Sequence, residues 1–284
     1  MKIILSRKGF DSANGGMPSP IFPENIIVSL PIPSSHSPTK ISGLNVNGYD
    51  IANVIYDLSS KRLTSEQYVH LDPDIDHNIL TNRHKNWQGA FGQVGASQKH
   101  LSNNYVGKGD LFIYFGWFRE VEQHHQVWQF KKNAPDLHVI YGWLLVENVI
   151  SVYNNTTSIL EKYPWLECHP HLYNNINNTI YIGSKTLLPE ISENYSGYGI
   201  FKSIRDIQIL TDMRQGNRSI WKLPACFYPS EEKLALTYHR KKERWTIENN
   251  EVVILNSVGR GQEFVLDIGL YPNINRWLLD LFIP

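Results

Sequence analysis

The apolar positions of this chain fall into short, dense runs separated by turn-rich stretches, a pattern of strands rather than of a helical bundle. Met1–Leu5 is the first run and reads as a buried strand. It cannot continue, because Gly9, Gly15, Gly16, Pro18 and Pro20 follow closely. Residues 21–50 mix Pro, Ser, Asn and Gly, and Leu30–Ser35 has the spacing of extended chain laid over a surface. The clearest strands are central: Asp110–Phe118 and Leu137–Val146 are nearly continuous apolar and aromatic runs, so both faces of each are expected to be covered. Thr179–Ile182, Gly199–Phe201, Glu251–Leu255 and Glu263–Ile268 add shorter strands. Helices are predicted over Ile51–Leu58 and, more weakly, Thr64–Tyr68, with a helical turn at Ser158–Tyr163 before Pro164 and a closing amphipathic helix over Asn273–Phe282. Trp87–His100 reads as a Gly- and Gln-rich loop. These elements predict an α+β fold, a β-rich mixed sheet with flanking helices and long loops. With no repeat and no linker, residues 1–284 are expected to form a single domain, with two lobes meeting near residue 150.

Composition narrows the partner. The 284 residues are 42% hydrophobic and 19% charged, which is ordinary for a soluble globular protein. Lys plus Arg and Asp plus Glu both number 27, so the formal charge is zero. A protein that clamps long DNA through its phosphates is usually basic, because counterion release drives that binding. Neutrality therefore favours a single base or nucleotide over a broad DNA clamp. Cys168 and Cys226 are too few for a disulfide framework and suggest a reducing, cytoplasmic setting. No apolar run approaches the ~20 residues of a membrane span, and the first one is too short for a signal peptide.

Candidate chemistry concentrates in four segments. The opening loop offers Ser6, Arg7, Lys8, Asp11, Gly15, Gly16 and Ser19. The two cations suit phosphate, the glycines allow backbone N–H groups to approach it, and Asp11 suits a sugar hydroxyl or a base role. The Gly-Lys-Ser/Thr ending of a P-loop is missing, and no cofactor motif is complete, so the cofactor stays unknown. In His70-Leu71-Asp72-Pro73-Asp74-Ile75-Asp76-His77, an extended chain would place His70, Asp72, Asp74 and Asp76 on one face. There His70 and Asp72 are catalytic candidates and Asp74 a binding one, while Asp-Pro-Asp equally reads as a turn and a metal is not favoured. Gln93 and Gln98 have amides of the kind that read base edges, and His100 is a third candidate acid or base. Ser97 lacks the Gly-x-Ser-x-Gly elbow. Gln262 and Glu263 precede an apolar strand, with Glu263 a buried partner for Arg7 or Lys8.

Tyr114, Trp117 and Trp143 are the aromatics available to stack on a base; Trp117, at a strand end, is the best placed, and Tyr114 and Tyr141 read as core. Cys168-His169-Pro170-His171 has soft ligands but no partner pair at zinc spacing, so no structural zinc is expected. Tyr238–Trp245 is a basic run with aromatic flanks and reads most simply as solvated surface.

Ser6-Arg7-Lys8-Gly9-Phe10-Asp11 with Gly15-Gly16 and Pro18-Ser19-Pro20 resembles the N-terminal signature of the third family of nucleotide-modification-associated domains. His70–Asp74, Gly92–Leu101, Gly109–Phe112, Phe115–Phe118 and Gly261–Val265 continue the likeness over most of the chain. The resemblance implies a prokaryotic or phage protein tied to base modification, with a nucleotide or DNA containing a modified base as partner; it carries no catalytic assignment. Lys108–Tyr114 and Val139–Val146 are similar to the paired strands of PUA-like barrels, which hold modified bases in aromatic pockets. Two functional readings follow. One is a nucleotide- or DNA-modifying protein that performs group transfer or hydrolysis at a base in a polar-aromatic pocket. The other is a non-catalytic reader of modified DNA.

Overall fold

The computed structural model describes residues 1–46, 48–173, 177–188, 195–230, 234–259, 261–271 and 273–283. Its strands are β1 (Lys2–Arg7), β2 (Ser19–Ile21), β3 (Ile32–Pro33), β4 (Thr39–Lys40), β5 (Tyr68–His70), β6 (Ala90–Val94), β7 (Leu111–His124), β8 (Val127–Phe130), β9 (Leu137–Ser151), β10 (Asn178–Gly183), β11 (Tyr198–Ile200), β12 (Ile220–Pro224), β13 (Trp245–Ile247), β14 (Val252–Asn256) and β15 (Glu263–Asp267). The α-helices are α1 (Ile51–Leu58), α2 (Gly95–Asn103), α3 (Thr156–Lys162) and α4 (Ile274–Phe282). The class is α+β and rich in β, as the apolar runs predict.

A mixed sheet in the order β15-β1-β7-β9-β10-β6 forms the frame, with β2 and β8 beside β7 and β11 beside β9. β1 runs parallel to β7 and antiparallel to β15, so Ser6 lies level with Tyr114 on one side and Glu263 on the other. The sheet curls into a half-barrel, and its two end strands meet through side chains: Gln93 Nε2 on β6 donates to Glu263 Oε1 on β15 at 2.6 Å. Alternation along β1 sends Ile4 and Ser6 inward and Ile3 and Leu5 outward, and Lys8, just past its end, reaches inward to Glu263 and Phe91. The inner face packs Ile4, Phe91, Phe112, Tyr114, Tyr181 and Val265. The outer face packs Leu5, Phe115 and Phe264 against Trp221 of the β12-β14-β13 sheet and Trp277 of α4. Each such large side chain contributes about 1.5–3 kcal/mol by leaving water.

Two segments differ from the expectation. Thr64–Tyr68 is not helical; the chain enters β5, which pairs with the short edge strands β3 and β4. Trp87–His100 is not a loop but β6 followed by α2. Its strand escapes composition because Ala90, Phe91, Gly92 and Gln93 are buried on both faces and include one glycine and one amide. Its helix escapes periodicity because only Gln98 and Leu101 are buried.

Candidate active site around Asp72

β5 ends at His70, and the chain then turns through a cis Asp72–Pro73 bond. Asp74 clips the segment to β6 by reciprocal backbone bonds with Ala90 of 2.8 and 2.9 Å. Ile75 then presses onto β9 at Gly142, where a Cβ would come within 2.6 Å of it. The clip delivers the Asp72 carboxylate, 4% exposed, to the Gly92 N–H, which donates to Oδ1 at 2.7 Å. Three imidazoles surround it. His171 Nε2 is 3.5 Å from Oδ2, His169 Nε2 is 3.6 Å from Oδ1, and His70 Nε2 lies 3.0 Å from His171 Nε2. His169 and His171 come from the turns between α3 and β10. Asn178, first residue of β10, holds His171 at both ends: its Oδ1 is 3.0 Å from Nδ1 and its Nδ2 donates to the His171 carbonyl. Gly92 makes room, since a Cβ there would lie 2.1 Å from the His171 ring.

Burial lowers His70 to about 4, against the attraction of Asp72, with His171 and Lys8 adding to the fall. Burial likewise lowers His169 to about 3. Desolvation alone would raise Asp72, but His171, His169 and His70 outweigh it and hold the carboxyl below the usual range. Near neutral pH the site thus presents a fixed carboxylate beside neutral His70 and His169. Among the described residues, His70, Asp72 and His171 offer three ligand atoms within 4.8 Å of one another.

A second polar group lines the inner face of the sheet. Lys8 Nζ pairs with Glu263 Oε1 at 2.9 Å and sits 4.4 Å over the Phe91 ring. Ser6 Oγ, Tyr114 Oη and Glu263 Oε2 are buried and make no hydrogen bond among the described residues. Such atoms are rare in folded proteins and mark places where a further polar partner fits. Burial, reinforced by Asp72 and Glu263, raises Tyr114 far above an ordinary phenol, so it stays protonated.

A cavity of about 340 Å³ opens beside Asp72 and Pro73, with Gly9, Ser29, Tyr141 and Lys202 among its walls. Most other walls are aliphatic, including Ile26, Leu30 and Ile75. Gly9 adopts φ +85°, and a Cβ there would strike Ser29 Oγ at 2.6 Å, so glycine is required at that wall.

The sequence candidates divide. His70 and Asp72 belong to the histidine cluster, Lys8, Gln93 and Glu263 to the second polar group, and Ser6 lies level with Glu263 beside it. Gln262 is at their margin, with its side chain 3.5 Å from Gln93 and Ser97 and its carbonyl accepting from Arg7 N–H. Arg7 points to the outer face, donating to the Gly259 and Val258 carbonyls. Asp11 folds back on its own turn, accepting from Ala13 and Asn14 N–H at 2.7 and 2.6 Å, and Gly15 and Gly16 supply that loop's positive φ. Ser19 accepts from Leu30 N–H. Asp74 is clamped by Arg83 at 2.5 and 2.6 Å and by Trp87 Nε1 at 3.1 Å. Asp76 caps a short turn, so the four residues His70 to Asp76 do not share one face. Gln98 bonds Ser102 and Tyr181, and His100 bonds Thr237 at 3.1 Å beside Tyr238. Trp117 lies under Arg218 at 4.2 Å, while Tyr114 and Trp143 are packed in the core.

Sequence reading missed His169 and His171 as site residues, and Gly92 as their support. A signal was there: His70-x-Asp72 and His169-x-His171 are two ligand pairs with the same spacing. Nothing in the sequence shows that they face each other, because the contact spans 101 residues.

A family model described as nucleotide modification associated domain 3 matches residues 2–267. No curated protein and no solved structure matches the chain.

Proposed function

Since the chain belongs to the nucleotide modification associated domain 3 family, which ties it to nucleotide or DNA modification, we propose that it holds a single base or nucleotide beside Asp72 and acts on it by group transfer or hydrolysis. One observation carries this reading: Asp72 belongs both to the wall of the 340 Å³ cavity and to the buried histidine cluster. The cavity is at the small end of ligand pockets, which run from about 300 to 1,000 Å³, and so suits a base or nucleoside rather than a length of duplex. Zero net charge supports the same scale of ligand.

Asp72 is the acting carboxylate in this reading, and Asp11 a turn former. Asp11 spends its Oδ1 on local N–H groups, whereas Asp72 Oδ2 has the His171 imidazole as its nearest partner among the described residues, at 3.5 Å. Arg7 and Lys8 are engaged by carbonyls and by Glu263, so the opening loop frames the site and leaves phosphate to other groups. The pairing of first strand with last, β1 with β15, supports one domain rather than two.

Mass-spectrometric profiling of nucleosides tests the reading, on DNA and on the soluble nucleotide pool, from cells with and without the gene. A nucleoside that changes with the wild-type gene and not with Asp72→Asn is expected. Identical profiles, with retained binding to DNA carrying modified bases, would leave the chain a reader and end the enzyme reading.

A further inference from the structure

We propose that His70, Asp72 and His171 form a binding site for one divalent transition-metal ion of the zinc type, with a position left open for water or substrate. Zinc bonds of about 2.0–2.1 Å in a tetrahedron place neighbouring ligand atoms about 3.3 Å apart. His70 Nε2 to His171 Nε2 is 3.0 Å and His171 Nε2 to Asp72 Oδ2 is 3.5 Å, on either side of that edge.

The hydrogen bonds around the cluster assign its lone pairs. Asn178 Nδ2 is committed to the His171 carbonyl, so its Oδ1 faces His171 Nδ1, which must then carry the N–H. His171 Nε2 therefore points a lone pair at the Asp72 carboxylate and at His70 Nε2. A cation at their meeting point would be ligated by all three groups, whereas a proton on His70 Nε2 could bridge only the two imidazoles. Asp72 Oδ1 is taken by the Gly92 N–H, which leaves Oδ2 to ligate alone. His169 Nδ1 accepts from the His171 backbone N–H at 3.3 Å, so its proton lies on Nε2, the atom nearest Asp72 Oδ1. His169 Nε2 stands 3.6 Å from Oδ1 and, carrying its proton, offers the ion no lone pair. Asn178 and Gly92 supply the outer hydrogen bonds that metal-binding imidazoles and carboxylates need.

Two imidazoles and one carboxylate form a donor set common to catalytic zinc and non-haem iron sites, which keep open positions; structural zinc sites fill all four. The inference concerns the ion alone and does not need the nucleotide reading. A chain that binds metal without altering any nucleoside would separate the two.

The test uses the purified full chain, stripped with a chelator and titrated with Co²⁺ alone. One equivalent should bind with the visible absorption bands of low-coordinate cobalt, and Zn²⁺ should displace it. His70→Ala and His171→Ala, with folding checked by circular dichroism, should lose the bands. Asn178→Ala should weaken binding by about 10–100-fold. Folded wild-type protein that takes up neither ion stoichiometrically overturns the proposal, as does unchanged binding in folded His70→Ala. Should both alanine variants fail to fold, X-ray absorption of zinc-loaded wild type decides: two imidazoles in the first shell support the site, and a purely oxygen shell refutes it.

Discussion

Asp72 and Asp74 stand one residue apart in sequence, and both carboxylates are buried, yet their surroundings are opposite. Asp74 meets a guanidinium in two bonds of 2.5 and 2.6 Å and an indole N–H at 3.1 Å. A permanent cation and a neutral donor saturate it. Among the described residues, Asp72 has one close side-chain bond, from Gly92, and imidazoles held at 3.5 and 3.6 Å, beyond good hydrogen-bond distance. The first arrangement spends its polarity on holding the fold. The second keeps a carboxylate oxygen and imidazole nitrogens directed at a common point, a geometry that serves a ligand or a reaction better than it serves stability.

The sharpest way to break the contrast is to remove Asp74. Asp74→Ala leaves the Arg83 charge buried without its partner, and urea unfolding should show a loss of about 3–5 kcal/mol. If Asp74→Ala were neutral, the division of labour between the two residues would fail.

Acid should separate structural histidines from the Asp72 carboxylate. His239 Nδ1 is 3.0 Å from the Thr237 carbonyl and its Nε2 accepts from Val258 N–H at 3.2 Å, and burial lowers it from 6.5 to about 4. Burial also lowers His138, whose Nδ1 accepts from Trp221, well below the usual range. As pH falls below 6.5 the unfolded chain takes up these protons first. Stability is therefore full above 6.5 and declines towards pH 4, by up to about 1.4 kcal/mol per pH unit for each histidine. Asp72, also with a depressed folded value, loses stability in the same direction but in a lower window: its stabilisation is complete above the ordinary carboxylate range and is lost as pH falls from there through that lower value. Urea titrations across this range should show the decline in wild type and a shallower one in His239→Gln.

Gly92 tests the support of the Asp72 cluster directly. Gly92→Ala drives a methyl into the His171 ring and should cost about 1–3 kcal/mol in urea unfolding while abolishing the nucleoside change. Full activity in this variant would show that the placement of His171 does not matter.

Much of the frame was legible from hydrophobic runs. β1, β7, β9, β10, β14, β15, α1 and α4 each follow a dense apolar or amphipathic segment whose burial the chain cannot avoid. β6 and α2 were hidden because their burial is shared by a glycine and two glutamines, which tertiary contacts rather than periodicity make inner-face residues. In the site, His70 and Asp72 were visible as a polar pair beside a proline, and Glu263 as a buried partner for a cation of the opening loop, which is Lys8. The rest depends on register. Only the curl of the sheet brings β6 to β15, and only the turns before β10 bring His171 to His70. Asp11 shows the reverse, a promising polar residue whose bonds are all local.

The smallest effect is accordingly expected at Asp11. Asp11→Asn keeps an acceptor for the turn, so stability should change by less than about 1 kcal/mol and the nucleoside profile should stay wild type. A profile lost with Asp11 would move the site to the opening loop.

The most direct test of the central claim is the nucleoside profile of cells expressing Asp72→Asn, a near-isosteric change that removes the charge. The nucleoside change should disappear in cells where the variant is still folded and expressed, as circular dichroism and immunoblotting would show. Persistence of the change in that variant would contradict the account and remove Asp72 from the chemistry.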